Sequence, residues 1–259
     1  MRRVTAILLA VVAAVVLSSC SVTRNLPEGS YLLQKVNIET DKSTSRPERI
    51  TAEELSKYIR QSPNKHFLGT NFYVQVYNLA NPEKDNWWNN LKRRIGEVPV
   101  LFNIRDTERS ELNLKTYLES RGYYSSQVGF AVDTTYRKKR AKVTYSLKQG
   151  KPYHIDTISY EFRDRFLEPI LLPDTVNTLL HKGDIFDISV LNKERERIAL
   201  YLKDRGYYSF TVNNIEYVAD TLGGDNKVGV KMISSRTSWV IMLEVMLSTT
   251  TIWSTVCAT

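Results

Sequence analysis

The chain has 259 residues, a formal net charge of +8, 42% hydrophobic and 25% charged side chains, 11 Gly and 8 Pro. That composition excludes a disordered or collagen-like polymer, and two cysteines, Cys20 and Cys257, exclude a disulfide scaffold or a CxxC zinc site. His66, His154 and His181 leave little material for a metal centre, and the positive charge is spread along the chain rather than gathered into a nucleic-acid patch.

Residues 1–19 read as a leader. Arg2 and Arg3 precede an apolar stretch, Val4–Leu17, which is short of the ~20 residues that span a bilayer and has the form of a secretion signal. It closes on Leu17-Ser18-Ser19-Cys20, which resembles a bacterial lipobox, so Cys20 is expected to become the acylated N-terminus, followed by a linker to residue 30. Ser21 rather than Asp comes next, and no acidic cluster follows in 21–25. By the sorting rules of Gram-negative lipoproteins, this implies the outer membrane and its periplasmic side.

The first module is predicted over 31–150. A strand carries Val36 and Ile38, and Thr51-Ala-Glu-Glu54 is a capping box. It opens a helix with Leu55, Tyr58 and Ile59 on one face, stopping before Pro63. Residues 65–95 are extra material, either an elaborated loop or a degenerate further module. They contain Trp87-Trp88 and Lys92-Arg93-Arg94, which are read as packing onto the first module, with a membrane-interface helix as the alternative. A second helix places Leu114, Tyr117 and Leu118 on one face. Val128, Phe130 and Val132 then alternate, followed by Ala141, Val143, Tyr145 and Leu147, two half-buried strands around a basic turn, Arg137-Lys-Lys-Arg140, read as a solvated hairpin tip.

The strongest internal signal is a repeat. Tyr117-Leu-Glu-Ser-Arg-Gly-Tyr-Tyr-Ser-Ser-Gln-Val128 recurs 84 residues later as Tyr201-Leu-Lys-Asp-Arg-Gly-Tyr-Tyr-Ser-Phe-Thr-Val212, identical at eight of twelve positions. Each copy reads as a helix end followed by a hairpin. Arg121 and Arg205 suit the last turn, Gly122 and Gly206 supply left-handed caps, and Tyr123, Tyr124, Tyr207 and Tyr208 are hairpin packing. The second module, 151–232, begins with a strand holding Ile158, Tyr160 and Phe162. Helical pieces are expected within Phe166–Leu180, limited by Pro169 and Pro173. After a helical face with Ile198, Tyr201 and Leu202 come a strand over Thr211–Val218, a turn at Gly223–Asn226 and a strand with Val228, Val230 and Met232 inward. Both copies follow the order β-α-α-β-β, an α+β class.

No P-loop, Gly-x-Ser-x-Gly, HExxH or paired catalytic carboxylate pattern is present in the chain. His154 and Asp156 share a strand face without a nucleophile, and His181-Lys-Gly-Asp184 reads as a turn. Neither a cofactor nor enzymatic activity is expected. Residues 233–259 form an aberrant tail: 11 Ser/Thr, two charges, no Gly or Pro.

The β-α-α-β-β order with Tyr-Leu-x-x-Arg-Gly-Tyr-Tyr resembles the POTRA modules of the BamA/TamA outer-membrane assembly family. Three phrases resemble its lipidated TamA-like (TamL) branch in Bacteroidetes: Cys20–Leu33, Tyr58-Ile-Arg-Gln-Ser-Pro-Asn64 and Ile95-Gly-Glu-Val-Pro-Val100. The resemblance covers about residues 20–232 and implies tandem modules behind a lipoprotein signal. It also implies a periplasm-facing outer-membrane anchor through acylated Cys20 and non-enzymatic binding of unfolded outer-membrane clients, or of a periplasm-spanning partner subunit, by β-augmentation. Nucleic acid is not an implied partner. The family ends in a barrel for which the tail has no room, so a truncated, non-functional product is one competing reading. A periplasmic cell-wall enzyme is another.

Overall fold

Two short three-stranded sheets organise the chain, each with its last strand in the middle. The structure, a computed structural model, describes residues 22–23, 26–41, 49–81, 84–221 and 226–235. The leader, Cys20 and residues 236–259 fall outside the described residues, whereas Ile233 and Ser234, expected to begin the tail, complete the last strand of the second sheet and are buried there. The chain divides into two compact units: residues up to 117 with 127–149, and residues 118–126 with 150 onward.

In the first unit the elements run β1 (Leu32–Thr40), α1 (Ala52–Ser56), α2 (Phe72–Asn78), α3 (Trp87–Ile95), α4 (Ile104–Ser120), β2 (Gln127–Arg137) and β3 (Arg140–Lys148). The last turn of α4 groups with the second unit. The sheet order is β1-β3-β2, with β1 parallel and β2 antiparallel to β3. The alternation in β3 buries Ala141, Val143, Tyr145 and Leu147 on one face, because successive strand side chains point to opposite sides. Leu55 and Leu114 are buried from the helical side.

The helix opened by Thr51 is shorter than its periodicity predicts. Thr51 Oγ1 accepts from the Glu54 amide, as a cap should. Past Ser56 the bonding tightens to i→i+3 turns at Lys57, Tyr58 and Ile59. Tyr58 leaves the helix and stacks on Tyr117 at 4.0 Å, while Glu54 accepts from the Tyr117 hydroxyl. The extra segment is not a bare loop, since it holds α2 and α3. The basic turn is only partly solvated. Arg140 is buried and donates to Gln34 Oε1 at 3.0 Å, so it belongs to the start of β3 rather than to the hairpin tip.

The second unit runs β4 (His154–Phe162), α5 (Glu168–Asp174), α6 (Ile188–Lys203), β5 (Ile215–Asp220) and β6 (Lys227–Ser234), with sheet order β4-β6-β5 and the same parallel and antiparallel pairings. Pro169 sits in the first turn of α5, where its missing N–H costs nothing, and Pro173 lies inside its last turn, keeping it to seven residues. One core cluster joins Leu167, Leu171, Ile198, Leu202, Phe210, Ile215 and Met232. A second joins Ile155, Leu180, Phe186, Leu191, Val228 and Val230. The α+β class read from the pattern is the fold observed.

The strand expected at Thr211 begins at Ile215. Thr211 caps a 3-10 turn over Val212–Asn214, its amide donating to Asn214 Oδ1 at 2.9 Å, and this local bonding competes with the ladder. Those three residues explain a change in the repeat. The Arg-Gly-Tyr-Tyr turns are 84 residues apart, but Val128 pairs with Leu147 where Ile215 pairs with Ser234, so the hairpins are 87 apart.

Candidate binding edges

Four strands lie at sheet edges, and they are not equally open. The start of β1 is covered. The Leu33 amide donates to the Val100 carbonyl at 2.8 Å, the Phe102 amide donates to the Tyr31 carbonyl at 2.8 Å, and Leu32 bridges Leu101. The covering segment is itself held by side chains that imitate a strand. Asn64 donates to the Val98 carbonyl and accepts from the Val100 amide, both at 2.8 Å, while Gln61 donates to the Leu101 carbonyl at 2.9 Å. The phrases around Asn64 and Val100 are therefore two halves of one contact. The start of β4 is covered in the same way: the Ile155 amide donates to Asp184, the Phe186 amide to Tyr153, and His154 bridges Ile185.

The outer sides of β2 and β5 are different. They end their sheets, and no strand among the described residues pairs beyond them. β2 is 11 residues long and β5 six. An unpaired edge presents a row of N–H and C=O groups that can bond an extended chain. At the Gln127 end of β2, an open depression of about 530 Å³ is lined by Glu39, Asp41, Gln127, Gly129, Ser146 and Lys148. Gly129 keeps it open, because its position has only Ser146 Oγ within 4 Å, at 3.7 Å.

The repeated motif precedes these edge strands in the chain. Gly122 and Gly206 both have φ near +90°, and both stop a helix. Arg121 donates to Asp187 at 2.5 Å, and the Gly122 carbonyl accepts from Tyr153. Tyr123 is buried. Tyr124 meets Tyr153 edge-on at 5.5 Å, and its hydroxyl is shifted up by burial and by Glu119. In the second copy Arg205 covers the Tyr201 ring at 3.5 Å, Tyr207 packs on the core, and Tyr208 is 79% exposed.

Sequence reasoning missed a buried charge network. Arg197 donates to both Glu194 oxygens, at 2.8 and 2.9 Å, and to Asp174 at 2.6 Å. Glu194 also accepts the Leu179 amide, and Asp174 accepts from Asn177. The Glu194 hydrogen bonds, and then those of Asp174, hold the guanidinium proton more tightly than usual. The only signal was the Glu-x-x-Arg spacing on α6. Glu194 and Asp174 are buried and each already accepts from several donors, so the network offers structure rather than a general base. His154 bonds the Gly183 carbonyl and Asp156 pairs with Lys182, so the two do not form a dyad. Among the described residues no cluster of three metal-ligating side chains occurs, and no helix is long and apolar enough to cross a membrane.

Trp87 and Trp88 do not pack onto the first unit, contrary to expectation. They stack on each other at 4.0 Å and are 63% and 60% exposed.

Residues 158–232 match the POTRA family model, described as a surface antigen variable number repeat. The match lies within the second unit. Among solved structures, the chain is similar to BamA from Haemophilus ducreyi lacking POTRA domains 1–3, at 15% identity and TM-score 0.42 over 80% of this chain and 29% of that one. It is also similar to POTRA domains 3–5 of Haemophilus influenzae BamA, at 16% identity and TM-score 0.33 over 82% and 100%. POTRA domains 1–2 of Omp85 from Anabaena match at 11% identity and TM-score 0.35 over 81% and 99%. The chain thus spans under a third of the Haemophilus ducreyi chain. No curated protein matches it.

Proposed function

We propose that this chain is a lipid-anchored, non-enzymatic component of outer-membrane protein assembly, related to the TamA-like lipoproteins. It faces the periplasm from an acylated Cys20 and holds unfolded outer-membrane clients by adding their strands to β2 and β5. The observation that carries this reading is the asymmetry of the sheets: in each, the start of the first strand is capped by a neighbouring segment, while no strand among the described residues pairs beyond the hairpin strand. The POTRA match over 158–232 supports the family, and the fully bonded buried carboxylates support a role without catalysis. Backbone bonding suits clients of many sequences, because the affinity does not depend on a side-chain code. The Arg-Gly-Tyr-Tyr residues build the turns that feed these edges.

Titrating the isotope-labelled chain with an unfolded outer-membrane β-strand peptide tests the edges. Amide shifts should concentrate in Gln127–Arg137 and Ile215–Asp220; shifts confined to the helices would overturn strand addition. Mass spectrometry of the mature N-terminus should find acyl mass on Cys20, and Cys20→Ala should release the protein from the membrane fraction.

A further inference from the structure

α3 is inverted relative to a helix that only serves its own core. Its one buried residue is polar: Asn89 donates to the Lys84 carbonyl at 3.1 Å and accepts from the Asn81 amide at 3.3 Å. Three of its four large apolar side chains, Trp87, Trp88 and Ile95, are exposed, with Ile95 at 48%, while Leu91 is half-buried. Residues seven apart share a helical stripe, so Arg94 lies under Trp87 and Ile95 under Trp88. Exposed apolar surface of this kind marks an interaction site.

The position of the N-terminal segment says what covers it. Val22 is 1% exposed, packs with Leu26, Leu32 and Val74, and its carbonyl accepts from Asn78. Val74 and Asn78 belong to α2, which is locked to α3: Lys92 donates to the Leu79 carbonyl, Arg93 to the Asn81 carbonyl, and a Cβ on Gly96 would strike the Tyr77 amide at 2.6 Å. Cys20 is two residues before Val22 and so within about 7 Å of it along the chain. An anchor there holds the α2–α3 pair, on which Val22 packs, close to the bilayer.

We propose that the Trp87–Trp88 face of α3 is a second membrane contact, seated on an anionic phospholipid surface beside the acyl anchor. Paired indole rings suit the headgroup level, where one edge is apolar and the other wet. Arg94, in the last turn under Trp87, gives the face a positive end for acidic headgroups. The placement rests on acylation of Cys20; the lipid affinity of α3 does not.

The test uses the chain from Ser21 onward, which carries neither leader nor acylated cysteine. It should float with vesicles of phosphatidylethanolamine and phosphatidylglycerol, with a blue shift of tryptophan emission, and bind phosphatidylcholine vesicles far more weakly. Trp87→Ser with Trp88→Ser should lower the affinity at least about tenfold without changing the melting temperature, since both rings are exposed. Arg94→Gln should lower it about fivefold, on the anionic vesicles only. Failure of the Ser21 chain to bind anionic vesicles, or binding indifferent to both tryptophans, overturns the proposal. So does protection of the tryptophans by a partner protein while vesicles leave them untouched. Absence of acyl mass on Cys20 would instead overturn only the anchor.

Discussion

The two copies of Arg-Gly-Tyr-Tyr have the same backbone and opposite surroundings. At Gly122 a Cβ would meet the Phe186 carbonyl oxygen at 2.7 Å and Ile185 Cγ2 at 3.1 Å, whereas at Gly206 it would meet nothing within 4 Å. Arg121 reaches out to Asp187, while Arg205 folds back over Tyr201. Tyr124 is 43% exposed and Tyr208 79%. The inward half of the motif, a left-handed glycine followed by a tyrosine turned toward the core, does the same work twice. The outward half is used once. A repeated motif therefore reports the turn it builds, and its contacts must be read from each copy separately.

The largest effect that sharpens this contrast lies on the helix before the second turn. Glu194 stands 84 residues after Ser110, the other buried polar side chain at that helical position. Arg197→Leu would leave Glu194 and Asp174 buried without their cation, and should cost about 3–5 kcal/mol. Ser110→Ala, which removes a bond to the Arg60 amide, should cost about 1 kcal/mol. Denaturant titration of the full chain measures both, and a reversed order would break the comparison. Next come the glycines. Gly206→Val meets only left-handed strain, about 1–2 kcal/mol. Gly122→Val adds overpacking against Phe186 and should cost about 3 kcal/mol or more. Equal melting shifts would mean that the contacts of the first copy carry nothing.

Smaller still is Arg121→Ala. The guanidinium is 39% exposed, so solvent screening holds its pairing with Asp187 to about 1 kcal/mol or less, fading at high salt. Arg205→Ala should not show that salt dependence. The smallest effect at neutral pH is Tyr217→Phe, which makes β5 resemble β2, since Phe130 lies 87 residues earlier. The Tyr217 hydroxyl is buried without a hydrogen-bond partner among the described residues, so its loss should be neutral or slightly stabilising. Burial first, and then the Glu194 carboxylate, raise its pKa well above the usual value near 10. The neutral ring's contribution is thus intact below pH 10 and is lost as pH climbs from there toward the folded value. A pH series should show a shallower alkaline decline for Tyr217→Phe. An unchanged decline would mean that other tyrosines carry it.

The strands and turns were readable because they depend on near neighbours. Alternation in Ala141–Leu147 and the glycine after Arg121 or Arg205 are local patterns with one structural solution each. Other features depend on partners far along the chain. Nothing beside Arg140 announces Gln34, 106 residues away, so a run of four cations looked like one exposed tip. Tyr58 was assigned to a helix by spacing and was drawn off it by Tyr117. Asp174 and Arg197 meet from separate helices. Thr211 failed differently: its side chain and that of Asn214 offered the backbone a tighter turn than the strand its neighbours favoured. For the binding edges, the order of strands decides which are open, and order is a property of the sheet that no single strand records.

That order also sets the timetable of folding. In its sheet β1 lies beside β3, and their first partners, Leu32 and Arg140, are 108 residues apart; in the second unit His154 and Lys227 are separated by 73. The longer span adds only about 0.3 kcal/mol of loop-closure entropy, so α2 and α3 are accommodated at almost no equilibrium penalty. The kinetic consequence is larger, because sequence-distant pairing slows folding. While the chain is delivered from its N-terminus, β1 has at most the 100–102 segment against its start, and must wait for its sheet neighbour β3 until the whole insertion, α4 and β2 have followed. Until then it is itself a strand of alternating apolar and polar residues in search of a sheet, the same kind of object that the finished edges are suited to hold.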